Sequence, residues 1–341
     1  MSARFKHSFK TALAIVLAYG LALWFDWDSP KWAAFAAILI SLPTLEASIG
    51  KGGQRLGGTL LAAVVALPLV GLFAQERWWF MLFQAGWLAF CAYRMTASNK
   101  SYFWFCAGFV SAIISANGGP DAVNIFAITV TRTLETCLGI ACFTVVFSLL
   151  WPARAVADAP APAAAAPGPP PGVDRLNRAV RVFIAWCTGF LLVIYVPDFP
   201  GGYGFLAMLA PFSIMVLNSA QISPEKLVVP VALSMLFASP IYLFVMPLLE
   251  GYTQLGLVIF LACFSISYTL HKPEQGLACT IGLAFFAVVA GIANEQSYSF
   301  LSVANTALMF FTMLLLLYVC SGIQVFRVRE NIAVGAGAGN A

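Results

Sequence analysis

The sequence predicts an all-α polytopic membrane protein of about twelve transmembrane helices, arranged as two parallel six-helix repeats with both termini cytoplasmic. Three observations carry that prediction. Of the 341 residues 61% are hydrophobic and only 9% are charged, with a mean hydropathy of +0.88, whereas a soluble domain has about a quarter of its residues charged. Apolar segments recur along the whole chain with the charges confined to the breaks, and they lack the alternation over about ten residues that a membrane β-barrel strand shows. The bases are also one-sided. With a cytoplasmic N-terminus, the 18 Lys and Arg all fall on the inner side except Lys31 and Arg77 outside and Arg132 within a span, which satisfies the positive-inside rule.

The first element starts in MSARFKHSFK, which is basic and leads into an apolar run. That run is too long for the core of a signal peptide and no small-residue cleavage site follows it, so residues 8–25 are read as the first membrane helix. Spans at 32–49, 57–74 and 78–94 follow, and Trp24, Trp27, Trp32, Trp78 and Trp79 around them fit an outer aromatic belt. The fifth and sixth spans are expected at 102–117 and 123–151. Next comes AVADAPAPAAAAPGPPPGV, an Ala/Pro-rich stretch that cannot pack a core and is expected to stay extended. Six further spans are expected at 179–196, 203–220, 227–248, 253–270, 276–293 and 302–325. The chain thus divides into a first membrane module (1–153), a cytoplasmic linker (154–174), a second module (175–328) and a disordered tail (329–341).

The two halves align without a gap from Arg4 and Arg175, which sets Lys10 against Arg181 and Trp32 against Tyr203, and Asn117 pairs with Asn294 further on. Each half has an even number of spans, so the repeats share one orientation about an axis along the membrane normal. Transporters of that plan place their site at the midplane interface of the halves.

Ionisable groups at bilayer depth are expensive and point to function. A helix rising from Trp32 places Glu46 about 21 Å inward, still within a hydrocarbon core of about 30 Å. Pro43 just before it removes a backbone hydrogen bond and predicts a kink, and Asn218 falls at a similar depth in the second half. The alternative ends the helix near Leu45 and leaves Glu46 solvated. In the sixth span Thr129, Arg132, Glu135 and Thr136 share one helical face. They read either as a closed ion pair that locks helix packing or as an anion-attracting Arg beside a carboxylate able to carry a coupling proton. The segment GKGGQRLGG lacks the P-loop pattern and no strand precedes it. Its glycines predict a tight cytoplasmic turn and close helix approach in the third span, with Lys51 and Arg55 as topology determinants or as a funnel for anionic substrates. Asn117 and Asn294 could line an outer exit, and His271 could relay protons.

The eight cysteines lie in or beside apolar segments without metal-ligand spacing, so packed thiols are expected and neither a metal nor another cofactor. No span carries a GxSxG, HExxH or paired-Asp arrangement, which sets an enzyme aside. The lipid bilayer is an expected partner and nucleic acid is not.

KTALAIVLAYGLAL at 10–23, SPKWAAFAAILISLP at 29–43, KGGQRLGGTLLAA at 51–63 and TRTLETCLGIACFTVVFSLLWP at 131–152 together resemble the membrane module of the fusaric acid resistance, or aromatic acid exporter, family. The spacing of Lys10, Trp32, Pro43, Lys51, Arg55, Arg132, Glu135 and Gly139 is similar to that family's pattern over residues 5–153. The resemblance implies a bacterial inner-membrane exporter of aromatic carboxylic acids that works with a periplasmic adaptor (membrane fusion) protein, and it allows a homo-oligomer. It also implies a compact form, since long members carry large cytoplasmic domains where this chain has its Ala/Pro linker and its Gly/Ala tail. Joined to the charged residues, the expectation is a proton-coupled exporter. Substrate would pass Lys51 and Arg55, meet Glu46 and Asn218 and be held by Arg132, with Glu46 or Glu135 as the proton carrier. The competing expectations are a passive organic-anion channel related to malate channels and an accessory subunit of an envelope efflux complex.

Overall fold

Among the described residues twelve α-helices occupy the apolar segments in chain order, one in the region of each expected span. They come from a computed structural model that describes residues 2–42, 45–73, 75–118, 124–151, 172–219, 222–272 and 275–326. The first half holds α1 (Ala3–Trp24), α2 (Lys31–Ile40), α3 (Leu45–Phe73), α4 (Arg77–Ala97), α5 (Ser101–Gly118) and α6 (Ile125–Leu149). The second holds α7 (Gly172–Tyr195), α8 (Tyr203–Asn218), α9 (Pro224–Pro240), α10 (Tyr252–Thr269), α11 (Gly276–Ala290) and α12 (Phe300–Ser321). Pro43, most of the 154–174 linker and the 329–341 tail lie outside the described residues, as does the side chain of Asn117.

Local chemistry sets several helix ends. Ser2 and Ser299 each accept a backbone N–H in the first turn of α1 and α12, satisfying donors that a helix start leaves open. Gly291 ends α11 at φ +51°, a left-handed conformation that costs glycine little. At the far end of α9, Pro240 precedes a π-helical turn (Ile241–Val245) and a short 3₁₀ turn (Met246–Leu248). Proline's missing N–H and its clash with the preceding turn favour such a change of winding.

Among the described residues seven helices are long and apolar enough to cross a membrane: α1, α3, α6, α7, α9 with its following turns, α10 and α12. Their outward faces are apolar, with Leu72, Leu149, Leu236, Leu248 and Phe300 all 71–77% exposed. A surface of that kind suits lipid rather than water. The other apolar helices, α2, α5, α8 and α11, are shorter.

The packing partners recur between the halves. Helix α1 packs on α10 and α4 on α7; α5 packs on α8 and α2 on α11; α3 packs on α5 and α9 on α11. Lys10 of α1 donates from Nζ to the carbonyl of Trp151 at 2.8 Å, just beyond α6. Arg181 of α7, the residue aligned with it, donates from Nε to the carbonyl of Ile323 at 2.7 Å, just beyond α12. In both halves a base on the first helix therefore caps the open carbonyl end of the sixth, where positive charge is favoured.

Two expectations need correction. The second helix does not run to residue 49, because α2 stops at Ile40 and Ser41 turns extended. Leu42, preceding Pro43, is biased away from helical backbone by the proline ring. The glycine-rich segment is not a turn but part of α3, which starts at Leu45. A Cβ on Gly58 would stand 2.6 Å from the Phe103 carbonyl oxygen and 2.7 Å from the Cys106 Cβ. Packing against α5 thus outweighs the low helix propensity of glycine.

Candidate functional site

The four short helices meet along one line through the middle of the bundle, α2 against α11 and α5 against α8. Three cavities follow that line. At the end formed by the start of α1, α3 and α5 lies a basic cavity of about 680 Å³, whose walls include His7, Lys51, His271 and Lys272. At the opposite end a cavity of about 390 Å³ is lined by Lys31, Trp32, Tyr242, Glu295 and Gln296 among others. Between them is an apolar cavity of about 90 Å³. It shares Leu39, Phe105 and Met215 with the basic cavity, and Trp32, Phe35 and Met208 with the other.

Lys51, in the second turn of α3, reaches this line, its Nζ 4.8 Å from the centre of the Tyr102 ring. Arg55, one turn on, does not. It is 2% exposed, donates from Nη1 to the Tyr102 hydroxyl at 3.3 Å and lies 5.6 Å over the Phe109 ring. Arg55 thus stands behind the wall and holds Tyr102 in it, instead of lining the funnel itself.

Arg132 and Glu135 close on each other at 2.8 Å within α6, both buried, Glu135 completely. Gly139, one turn further, allows this. A Cβ there would stand 2.2 Å from the Ala33 carbonyl oxygen, so α6 approaches α2 closely. That approach brings the Arg132 guanidinium to 5.3 Å from the Trp32 ring, a cation–π distance. Trp32 is 8% exposed, so it is no interfacial anchor, unlike the exposed Trp24, Trp78 and Trp79. Its ring separates the ion pair from the line of cavities. Arg132 Nε and Glu135 Oε1 have no hydrogen-bond partner among the described residues. A buried ion pair with unsatisfied atoms is costly to keep for stability alone.

Glu46 and Asn218 are not brought together with these groups. Glu46 sits in the first turn of α3, exposed and outside the three cavities. Asn218 is 5% exposed at the end of α8. Its carbonyl accepts from the Arg178 guanidinium, and its side-chain amide has no partner among the described residues. Asn294 is also occupied, donating to the Asp26 carboxylate.

His7 and His271, the only two histidines in the chain, meet with ring centroids 5.6 Å apart, a pairing that no spacing in the sequence announces. They come from opposite halves, close to a Ser8–Ser267 hydrogen bond of 3.2 Å. Their rarity, and their positions at the basic ends of two spans, were the only signals available. Among the described residues no cluster of His, Cys, Asp or Glu is arranged to hold a metal ion.

A helical bundle of long apolar helices, with charged side chains in the cavities at both ends and an apolar waist between them, defines a multi-pass membrane protein. Comparison shows what the chain is similar to. The profile of the Fusaric acid resistance protein family matches residues 4–166, just under half of the chain. It is 31% identical over 161 residues to the uncharacterized transporter YdhK of Escherichia coli (strain K12), covering 46% of this chain and 24% of that protein. It is 31% identical over 148 residues to the uncharacterized transporter GOX0755 of Gluconobacter oxydans (strain 621H), covering 39% and 19%. It is 26% identical over 158 residues to the p-hydroxybenzoic acid efflux pump subunit AaeB of Escherichia coli (strain K12), covering 43% and 24%. The chain thus matches at most about a quarter of the length of these curated relatives. No solved structure matches significantly. The apolar helices and the family match together make this a multi-pass protein of the bacterial inner (plasma) membrane.

Proposed function

We propose that the chain exports small organic acids, chiefly aromatic carboxylic acids, between two parallel six-helix modules (1–153 and 175–328), in exchange for protons. The observation that carries this reading is the line of three cavities between the halves, basic at one end and apolar at the waist. The positive-inside distribution makes the basic end cytoplasmic. A carboxylate would collect there, where the ammonium groups of Lys51 and Lys272 line the wall and low-dielectric surroundings strengthen their attraction.

Coupling is assigned to Glu135, since Glu46 is exposed away from the path. A proton on Glu135 cancels its charge and releases Arg132, which lies against Trp32. Movement of Trp32 then widens the waist, which it lines together with the outer cavity. The anion leaves outward as the proton passes inward. The relative named as a p-hydroxybenzoic acid efflux pump subunit supports the substrate class, and the word subunit favours a further protein partner, for which we propose a periplasmic adaptor.

The test is uptake of fusaric or hydroxybenzoic acid into proteoliposomes with and without an imposed pH gradient. Flux indifferent to the gradient removes the coupling. A passive channel needs a continuous polar pore, which the apolar waist interrupts, so single-channel currents would replace this reading with the channel one.

A further inference from the structure

The apolar waist has a shape and a chemistry of its own. Its exposed wall carries no polar atom, although it stands between two cavities that have charged side chains in their walls. Dry cavities of about 150 Å³ walled by Leu, Ile and Phe exclude water yet take up benzene; this one is about 90 Å³. One side is a tight group of rings, with Phe285 and Phe310 centred 4.2 Å apart and Phe212 at 6.1 and 5.9 Å from them. The approach is aromatic as well. On α5 the Tyr102, Phe105 and Phe109 rings follow one another at 6.0 and 4.8 Å, a ladder rising about 10 Å along the helix. The ladder starts under the Lys51 ammonium in the basic cavity and ends in the waist.

We infer that the waist, once movement of Trp32 widens it, is a binding subsite for the apolar body of the transported anion, sized for a single ring, with the carboxylate trailing toward Lys51. The inference rests on the export reading and adds to it where the substrate sits and what limits its size. A planar ring can slide along the ladder by offset stacking at every step. It fills the waist and contacts Phe212, Phe285 and Phe310, which makes these residues determinants of specificity. A short aliphatic acid leaves the cavity underfilled, losing contacts on its empty side. A two-ring acid overfills it and forces side chains off their rotamers. Small inorganic anions have no means of replacing their water there, so the same cavity keeps the pathway closed to them.

The experiment measures binding of butyrate, benzoate and 2-naphthoate to the full chain in lipid nanodiscs by titration calorimetry, alongside export of the same acids from proteoliposomes. The wild-type protein is expected to bind benzoate at least tenfold more tightly than either other acid. Phe212→Ala enlarges the waist by a ring and is expected to reverse the order of benzoate and naphthoate. Because this is a gain of binding, a misfolded variant cannot imitate it. Met215→Ala, which widens the waist without removing a ring, is expected to shift the order in the same direction by less. If all three acids bind alike to the wild type, or the order is unchanged in both variants, the subsite is overturned while export stands. If no acid is bound or exported, the export reading falls with it.

Discussion

At the residue scale, Arg132 and Glu135 decide between packing and function, and the two roles separate experimentally. Glu135→Leu alone leaves a buried guanidinium unpaired and is expected to cost roughly 3–5 kcal/mol of stability, read as an earlier unfolding transition in detergent. The double substitution Arg132→Met with Glu135→Leu removes both charges and should recover most of that loss. If the pair serves coupling, this stable double variant still fails to respond to a pH gradient. Lys51 gives a second prediction. Its ammonium lines the basic cavity, and Lys51→Gln should raise the KM for a carboxylate substrate by about tenfold, ~1.4 kcal/mol of attraction, with kcat little changed. Initial rates across a substrate series would check this. A matching fall in kcat would move Lys51 from collection of substrate to the transport step itself.

Among the elements, α3 tests whether glycines were placed for packing. Gly58→Ala drives a Cβ to 2.6 Å from the Phe103 carbonyl oxygen and should cost about 1–3 kcal/mol through overpacking. Gly53, in the same helix, has nothing within 4 Å of its Cβ position, so Gly53→Ala should be neutral or stabilise by up to about 1 kcal/mol. Thermal unfolding of the two variants side by side makes the comparison. The same helix marks how far the sequence could be read. Every apolar run announced its helix, because hydrocarbon admits little else. The break between α2 and α3 was misplaced because Pro43 suits either a kink or a boundary, and the glycines after it suit either a turn or a close crossing. Only the atoms of Phe103 and Cys106 across the contact distinguish these. Lys51 was legible as a lone base at a span end. The place of Arg55 behind Tyr102 and the meeting of His7 with His271 depend on partners from distant segments, which periodicity cannot report.

For the whole molecule, the matched roles of Lys10 and Arg181 motivate a direct test of the proposed two-module division. Residues 1–157 and 165–341 produced as separate chains are then expected to assemble in the membrane and export acid. Co-purification of the two pieces, followed by reconstituted flux, checks it. The waist has an electrical consequence as well. The wider cavities on either side, each with charged side chains in its wall, admit water more readily than the dry waist, so the transmembrane voltage falls mainly across the waist. The drop is concentrated over the few ångströms of dry rings. A carboxylate crossing that short barrier experiences nearly the full membrane field in one step, about 2.3 kcal/mol per 100 mV, and an interior-negative cell drives it outward. Efflux from liposomes should accordingly steepen when valinomycin and potassium set the inside negative at constant pH. The bundle is thus a lens that focuses the cell's electric field onto its own aromatic gate.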